Sequence, residues 1–159
     1  MSTGIGVAWG SQYQGKDNYT YLVLGDGEVQ EGQVWEGALF AAQQNLSHLI
    51  GFVDYNKKQL DGYISDICEL GDLAQKFRDF GWDTIECDGN SVESLIAAIE
   101  LAKTDSTKPH MIIMNTVKGK GCSFAEDVLY NHHMKFDQEQ KEEAVENLKQ
   151  EIKQLEEEV

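Results

Sequence analysis

The sequence predicts an α/β fold, a doubly wound parallel sheet followed by a C-terminal amphipathic helix. Three observations lead there: short apolar runs alternate with helical-period segments, a Gly-Asp-Gly turn closes the first apolar run, and the chain ends in a Glu/Gln/Lys-rich stretch of helical periodicity. The β-branched and apolar run over 20–24 reads as a buried strand that stops at Gly25-Asp26-Gly27. A helix is expected over 31–44, where Val34, Trp35, Ala38, Leu39 and Ala42 recur at three- and four-residue spacing and Asn45 is a stop. Residues 48–54 form the next strand. A helix over 70–80 turns Leu73, Ala74, Phe77 and Phe80 inward and ends at Gly81, and a strand follows over 82–87. Asn90 with Glu93 resembles a capping box for a helix whose buried stripe is Val92, Leu95, Ile96 and Ile99. A polar turn through Pro109 then leads to a strand over 111–117, with Lys118 to Gly121 as a further loop on the strand-end edge. From Asp137 onward Ala144, Val145, Leu148, Ile152, Leu155 and Val159 mark an amphipathic helix. Too few sustained heptads favour a stripe packed on the domain over a coiled-coil partner site. Residues 1–135 are expected to form one domain and residues 136–159 the acidic helix.

Length and composition narrow the function. A chain of 159 residues buries one substantial core. Its net charge of -15 argues against nucleic acid or an anionic membrane as partner, since both demand a basic surface. Cys68, Cys87 and Cys122 have no Cys-x-x-Cys spacing, which points away from a disulfide framework or zinc site and fits a reducing, cytoplasmic setting. The first residues lack a basic region, and no stretch approaches the ~20 apolar residues of a membrane span. His48 and His110 stand at strand starts and read as structural.

Strand, helix, strand over 20–54 is a right-handed crossover, so Asp26 and Asn56 emerge at the same sheet edge. Ligands of open α/β sheets bind there, and a following helix N-terminus offers N–H groups to an anion. Asp26 supplies an anionic oxygen, Asn56 a neutral one, and the loop after Asn56 a main-chain carbonyl; with phosphates and water these hard oxygens make an octahedral magnesium shell. Gly25 and Gly27 allow the sharp turn. A lone Gly-Asp-Gly is most often only a turn, so the spaced Asn56 carries the weight.

The stretch Leu24-Gly25-Asp26-Gly27-Glu28-Val29-Gln30-Glu31-Gly32-Gln33-Val34-Trp35-Glu36, followed by Val53-Asp54-Tyr55-Asn56-Lys57-Lys58-Gln59-Leu60-Asp61-Gly62, resembles the thiamine diphosphate domain of transketolase, especially its split bacterial and archaeal form. Phe80-Gly81-Trp82, Asp88-Gly89-Asn90 and Thr116-Val117-Lys118-Gly119-Lys120-Gly121 with Ser123-Phe124 follow the same family in order, over residues 2–132. The resemblance implies thiamine diphosphate and Mg2+ as cofactors, with Asp26, Asn56 and the Lys58 main-chain oxygen as metal ligands. It implies that Gly25 and Gly27 shape the turn, that Gly27 and Glu28 present N–H groups to the diphosphate, and that Leu60 packs near the thiazolium ring. Glu31 resembles a glutamate of a carboxylate network between active sites, and equally suits a first-turn glutamate favoured by the helix dipole. His132, in Asn131-His132-His133-Met134, falls at the histidine of the family's Trp-His-Gly. Both neighbours depart from that pattern, and a solvent-facing pair with His133 is an equal alternative.

The family places a front portion before a segment like Ser2-Thr3-Gly4-Ile5-Gly6, so a chain lacking that front is expected, along with a separate pyrimidine-binding (C-terminal) subunit whose glutamate activates the cofactor. The chain alone is not expected to catalyse. The implied reaction moves a two-carbon ketol unit between sugar phosphates within a homo- or hetero-oligomer. Other thiamine enzymes share the clamp, but Gln30-Glu31-Gly32 and Gln59-Leu60-Asp61-Gly62 favour transketolase. A non-catalytic truncated or assembly module is the alternative outside enzymology.

Overall fold

Parallel pairing of the apolar runs organises the chain. The structure, a computed structural model, describes residues 1–104, 107–126 and 128–157. Helix α1 (Ser2–Tyr13) leads into β1 (Thr20–Gly25), a 3-10 turn (Glu28–Gln30), α2 (Gly32–Gln43) and β2 (Leu49–Tyr55). A hairpin of β3 (Lys58–Gln59) and β4 (Gly62–Tyr63) precedes α3 (Ile64–Ile67) and α4 (Leu73–Asp79). Then come β5 (Asp83–Asp88), α5 (Val92–Ala102), β6 (His110–Asn115), a second 3-10 turn (Asn131–His133) and α6 (Gln138–Glu157).

The main sheet has four strands, all parallel, in the order β1-β2-β6-β5. The chain passes from β2 across to β5 and then returns to β6, reversing its direction along the sheet. Right-handed crossovers place helices on opposite faces when that direction reverses. Accordingly α1, α2 and α4 cover one face, where Leu49 and Val53 meet Val34, Ala38 and Phe77, while α5 covers the other, where Ile50, Phe52 and Ile112 meet Ala98 and Ala102. The doubly wound α/β class is therefore present. Trp82 joins the larger core and donates its indole N–H to the Ala38 carbonyl at 3.0 Å, so a bulky ring fixes α2 against the sheet without leaving its polar atom unpaired.

Several local expectations change. Helix α1 was not anticipated, and it buries Ile5 and Ala8. On α2 the buried line is Val34, Ala38 and Ala41, while Leu39 is exposed. On α5 Ala98 and Ala102 are buried, and Val92 and Ile96 are exposed; small side chains let the helix lie close on the sheet, which turns the bulkier residues outward. Ser91, not Asn90, caps that helix, its hydroxyl accepting from the Ser94 N–H at 3.2 Å. Asn90 instead accepts from the Val117 N–H at 2.8 Å.

Helix α6 starts at a reciprocal capping box, with Asp137 accepting from the Gln140 N–H and Gln140 accepting from the Asp137 N–H. None of its described residues is buried, and Val145, Leu148, Ile152 and Leu155 are all exposed, contrary to a fully packed stripe. Val159, and part of the polar turn before Pro109, lie outside the described residues. No helix among the described residues is long and apolar enough to cross a membrane.

Candidate cofactor site at the carboxyl edge of the sheet

β1 and β2 end in register, Gly25 opposite Asp54, so the Asp26 turn and the Asn56 loop meet at one edge. Asp26 is 2 % exposed. Its Oδ1 accepts from the Gly27 N–H at 2.8 Å and its Oδ2 from the Lys57 N–H at 2.6 Å, so one carboxylate ties the two loops together. Burial raises its pKa above the ordinary aspartate value and the nearby Asp54 charge acts the same way; the two N–H bonds and the Lys118 ammonium oppose them. Each carboxylate oxygen has a lone pair left over after its single N–H bond.

Asn56 Oδ1 accepts from the Lys58 N–H at 3.0 Å, a local turn that holds the amide oxygen. Lys57 between them has φ 65°, a left-handed state that a non-glycine residue adopts at a cost of about 1–2 kcal/mol. Lys58, 7 % exposed, opens the β3–β4 hairpin, and Leu60 in its turn is exposed. A Cβ at Gly27 would come within 3.0 Å of the Gln59 amide oxygen, so a side chain there would crowd the hairpin against the turn.

The turn after Asp26 is braced from below. Val29 is fully buried, and its carbonyl accepts from the Trp35 indole N–H at 3.0 Å. Glu28 folds back so that its carboxylate accepts from the Gly25 N–H at 2.7 Å. The Gly27 N–H expected to face a diphosphate is engaged by Asp26 itself, because the carboxylate lies one residue away with both oxygens directed at main-chain donors. Glu31 is an exposed N-cap residue of α2 without a side-chain cap bond; its carboxylate accepts from the Gln33 amide at 3.0 Å.

The loop after β6 completes the edge. Thr116 Oγ1 donates to Asp54 Oδ1, and Lys118 Nζ lies 3.4 Å from His132 Nδ1. His132 and His133 are both exposed, with rings edge-to-face at 4.8 Å. Asn131 holds the loop by donating to the Lys118 and Ala125 carbonyls. Sequence reasoning missed Asp54, Thr116, Trp35 and Asn131, since each acts through a tertiary contact; only Lys118 stood in a loop already placed at this edge. His48 lies 3.6 Å from Asp17, and His110 is buried at the start of β6.

The residues present fit a magnesium diphosphate group in kind: a buried carboxylate with spare lone pairs, a held amide oxygen and a main-chain turn, all hard oxygen donors. Among the described residues no three His, Cys, Asp or Glu side chains cluster. A magnesium shell here would need amide and main-chain oxygens beside the Asp26 carboxylate.

A family profile described as transketolase, thiamine diphosphate binding domain, matches residues 10–155. The chain belongs to that family. It is 45% identical over 151 residues to the 6-deoxy-6-sulfo-D-fructose transketolase subunit SqwG of Clostridium sp. (strain MSTE9), covering 95% of this chain and 55% of that protein. It is 34% identical over 158 residues to an apulose-4-phosphate transketolase subunit of Phocaeicola vulgatus, covering 99% of this chain and 56% of the relative. The chain thus spans about half the length of these curated relatives. A crystal structure of transketolase from Campylobacter jejuni superposes with a TM-score of 0.81 at 25% identity, over 89% of this chain and 24% of that one. Family membership agrees with the resemblance carried by the Asp26 and Asn56 segments, which the transketolase-like fold brings to one edge.

Proposed function

We propose that this chain is the N-terminal, diphosphate-holding component of a transketolase-type transferase that moves a two-carbon ketol unit between anionic sugars. One observation carries it: the buried Asp26 carboxylate at the end of β1 is bonded to the loop that presents Asn56 at the end of β2. Asp26, Asn56 and the Lys58 main-chain oxygen would hold Mg2+, and the Gly25–Gly27 turn with the Glu28 N–H would hold the diphosphate end of thiamine diphosphate. The bound cofactor supplies the electron sink for carbon–carbon bond chemistry.

The remaining roles belong to this chain's side chains. The Lys57 N–H and the Gly27 N–H keep Asp26 aimed without reorganisation, so ligand geometry is preset. Leu60 excludes water from the thiazolium end, and Glu31 joins a carboxylate network once a neighbouring subunit covers it. His132 donates to an anionic oxygen of cofactor or substrate. A pyrimidine-binding partner subunit supplies the activating glutamate. One relative is named for 6-deoxy-6-sulfo-D-fructose and another for apulose-4-phosphate. Sugars bearing a sulfonate or phosphate are therefore the proposed substrates.

The test is reconstitution with a pyrimidine-binding subunit, thiamine diphosphate and Mg2+, followed by chromatography of sugar phosphate and sulfosugar mixtures. Two-carbon transfer that vanishes with EDTA and in Asp26→Ala supports the assignment. Transfer unaffected by either, or no transfer from any such sugar in a complex that binds cofactor, overturns it.

A further inference from the structure

Helix α6 carries an apolar stripe that the described residues leave open. Val145, Leu148, Ile152 and Leu155 follow one another at steps of three, four and three residues, the a and d positions of a heptad, and they are 43, 44, 55 and 58 % exposed. The stripe begins inside a groove. A Cβ at Gly121 would come within 3.6 Å of Leu148 Cδ2, and Ser123 Oγ donates to Glu143 at 3.1 Å, so the first half of α6 rests on the loop after β6. Phe124 and Phe136, with ring centroids 5.7 Å apart, join Met134, Val145 and Leu148 around a groove of about 340 Å³ between loop and helix. Ile152 and Leu155 continue the same apolar line beyond it. That loop also carries His132, and Asn131 ties it to the Lys118 carbonyl at the carboxyl edge of the sheet. An occupant of the groove therefore stands beside the edge where the cofactor is proposed to lie.

Charge selects the occupant. Seven glutamates against three lysines leave α6 acidic, and the charged residues flanking the stripe are Glu142, Lys149, Glu151 and Glu156. Two copies meeting antiparallel, with Val145 against Leu155 and Leu148 against Ile152, would set Lys149 against Lys149 and Glu151 against Glu151. Two copies meeting in parallel would set Glu151 against Glu156. Flanking charges decide which helices pair along such a seam, and like charges oppose self-pairing in both directions. At 1.5 Å per residue the seam is also only about 16 Å long, too short to hold two copies by itself. Acidic flanks are complemented by an apolar stripe with basic flanks.

We propose that α6 and the loop beneath it dock the pyrimidine-binding subunit, which lays an amphipathic helix flanked by Lys and Arg along Val145, Leu148, Ile152 and Leu155. The identity of this partner rests on the transketolase-type reading, since that subunit is the one that has to reach the cofactor at this edge. The docking surface shares no residue with the Asp26 and Asn56 clamp, so mutation separates the two.

Sedimentation velocity and isothermal titration of the full chain with the pyrimidine-binding subunit, at low and at high salt, test the groove. Ile152→Glu with Leu155→Glu is expected to weaken the complex about tenfold, the scale of losing an apolar anchor. Glu151→Lys with Glu156→Lys is expected to weaken it as well, and rising salt to loosen the wild-type complex. All four residues are exposed, so both double variants keep the fold, which circular dichroism checks. An affinity indifferent to the apolar pair of substitutions, or one raised by the charge reversal, overturns the proposal. A wild-type chain that self-associates, its dimer dissolved by Ile152→Glu with Leu155→Glu, overturns it in favour of a second copy. If Asp26→Ala abolishes two-carbon transfer while the apolar pair of substitutions leaves association and transfer intact, the transferase reading stands and the docking groove falls. If the subunits associate through the stripe but bind no thiamine diphosphate, the groove stands and that reading falls.

Discussion

Asp26 Oδ2 accepts the Lys57 main-chain N–H at 2.6 Å, a bond that joins the ends of two adjacent parallel strands through a carboxylate only 2 % exposed. The same carboxylate therefore sets the loop geometry and waits, desolvated, at the place where a cation is proposed to bind. Its electrostatic cost gives the first expectation.

Asp26 has its folded-state pKa raised by burial, from a reference of 3.8. A raised carboxyl binds more protons folded than unfolded. Its contribution to stability is thus fully present below the unfolded value and is lost as pH rises through the folded one. Urea unfolding of the metal-free chain from about pH 3 to pH 7 is expected to show wild type losing stability relative to Asp26→Asn as pH rises. A difference independent of pH would mean that the carboxyl is not desolvated as described.

Trp35→Phe keeps an aromatic ring against Phe77 and Phe80 and removes the donor to the Val29 carbonyl. Leaving that carbonyl unpaired beside a fully buried Val29 is expected to cost about 1–3 kcal/mol in chemical denaturation. Amide exchange across Gly27–Gln30 is expected to quicken more than exchange in β6.

Ser91→Ala removes the true cap of α5 and is expected to cost about 1 kcal/mol, read from the urea midpoint. Asn90→Ala acts elsewhere, freeing the Val117 N–H and loosening the loop that carries Lys118. Exchange protection lost at Val117 rather than across the first turn of α5 would separate the two.

Phe77→Ala opens the fully buried contact with Trp82 and Trp35 and is expected to cost about 3–5 kcal/mol. Leu39→Ala, on the exposed side of α2, is expected to stay within about 0.5 kcal/mol. Equal losses in thermal or urea unfolding would show that the face of α2 has been misassigned.

Strand order aside, much of this was legible in the sequence. The apolar runs expected as strands over 20–24 and 48–54 carry clear turn signals, so their parallel crossover followed from pattern alone, with ends one residue short of the observed Gly25 and Tyr55, and so did the meeting of the Asp26 turn and the Asn56 loop at one edge. Helix α1 was hidden because Gly4, Gly6 and Gly10 dilute its helical signal. On α5 the apolar residues run nearly all round, and local spacing does not say which side meets the sheet; the small Ala98 and Ala102 decide it through close approach. The Lys118–His132 contact and the Trp35 brace join residues through loops whose paths no local period encodes.

Calorimetric titration of thiamine diphosphate into the complex of this chain with a pyrimidine-binding subunit, with Mg2+ or with EDTA, tests the magnesium diphosphate clamp most directly. Saturable binding that requires Mg2+ and is lost in Asp26→Ala and weakened in Asn56→Ala is expected. Binding of equal strength in EDTA, or unchanged in Asp26→Ala, would contradict the clamp.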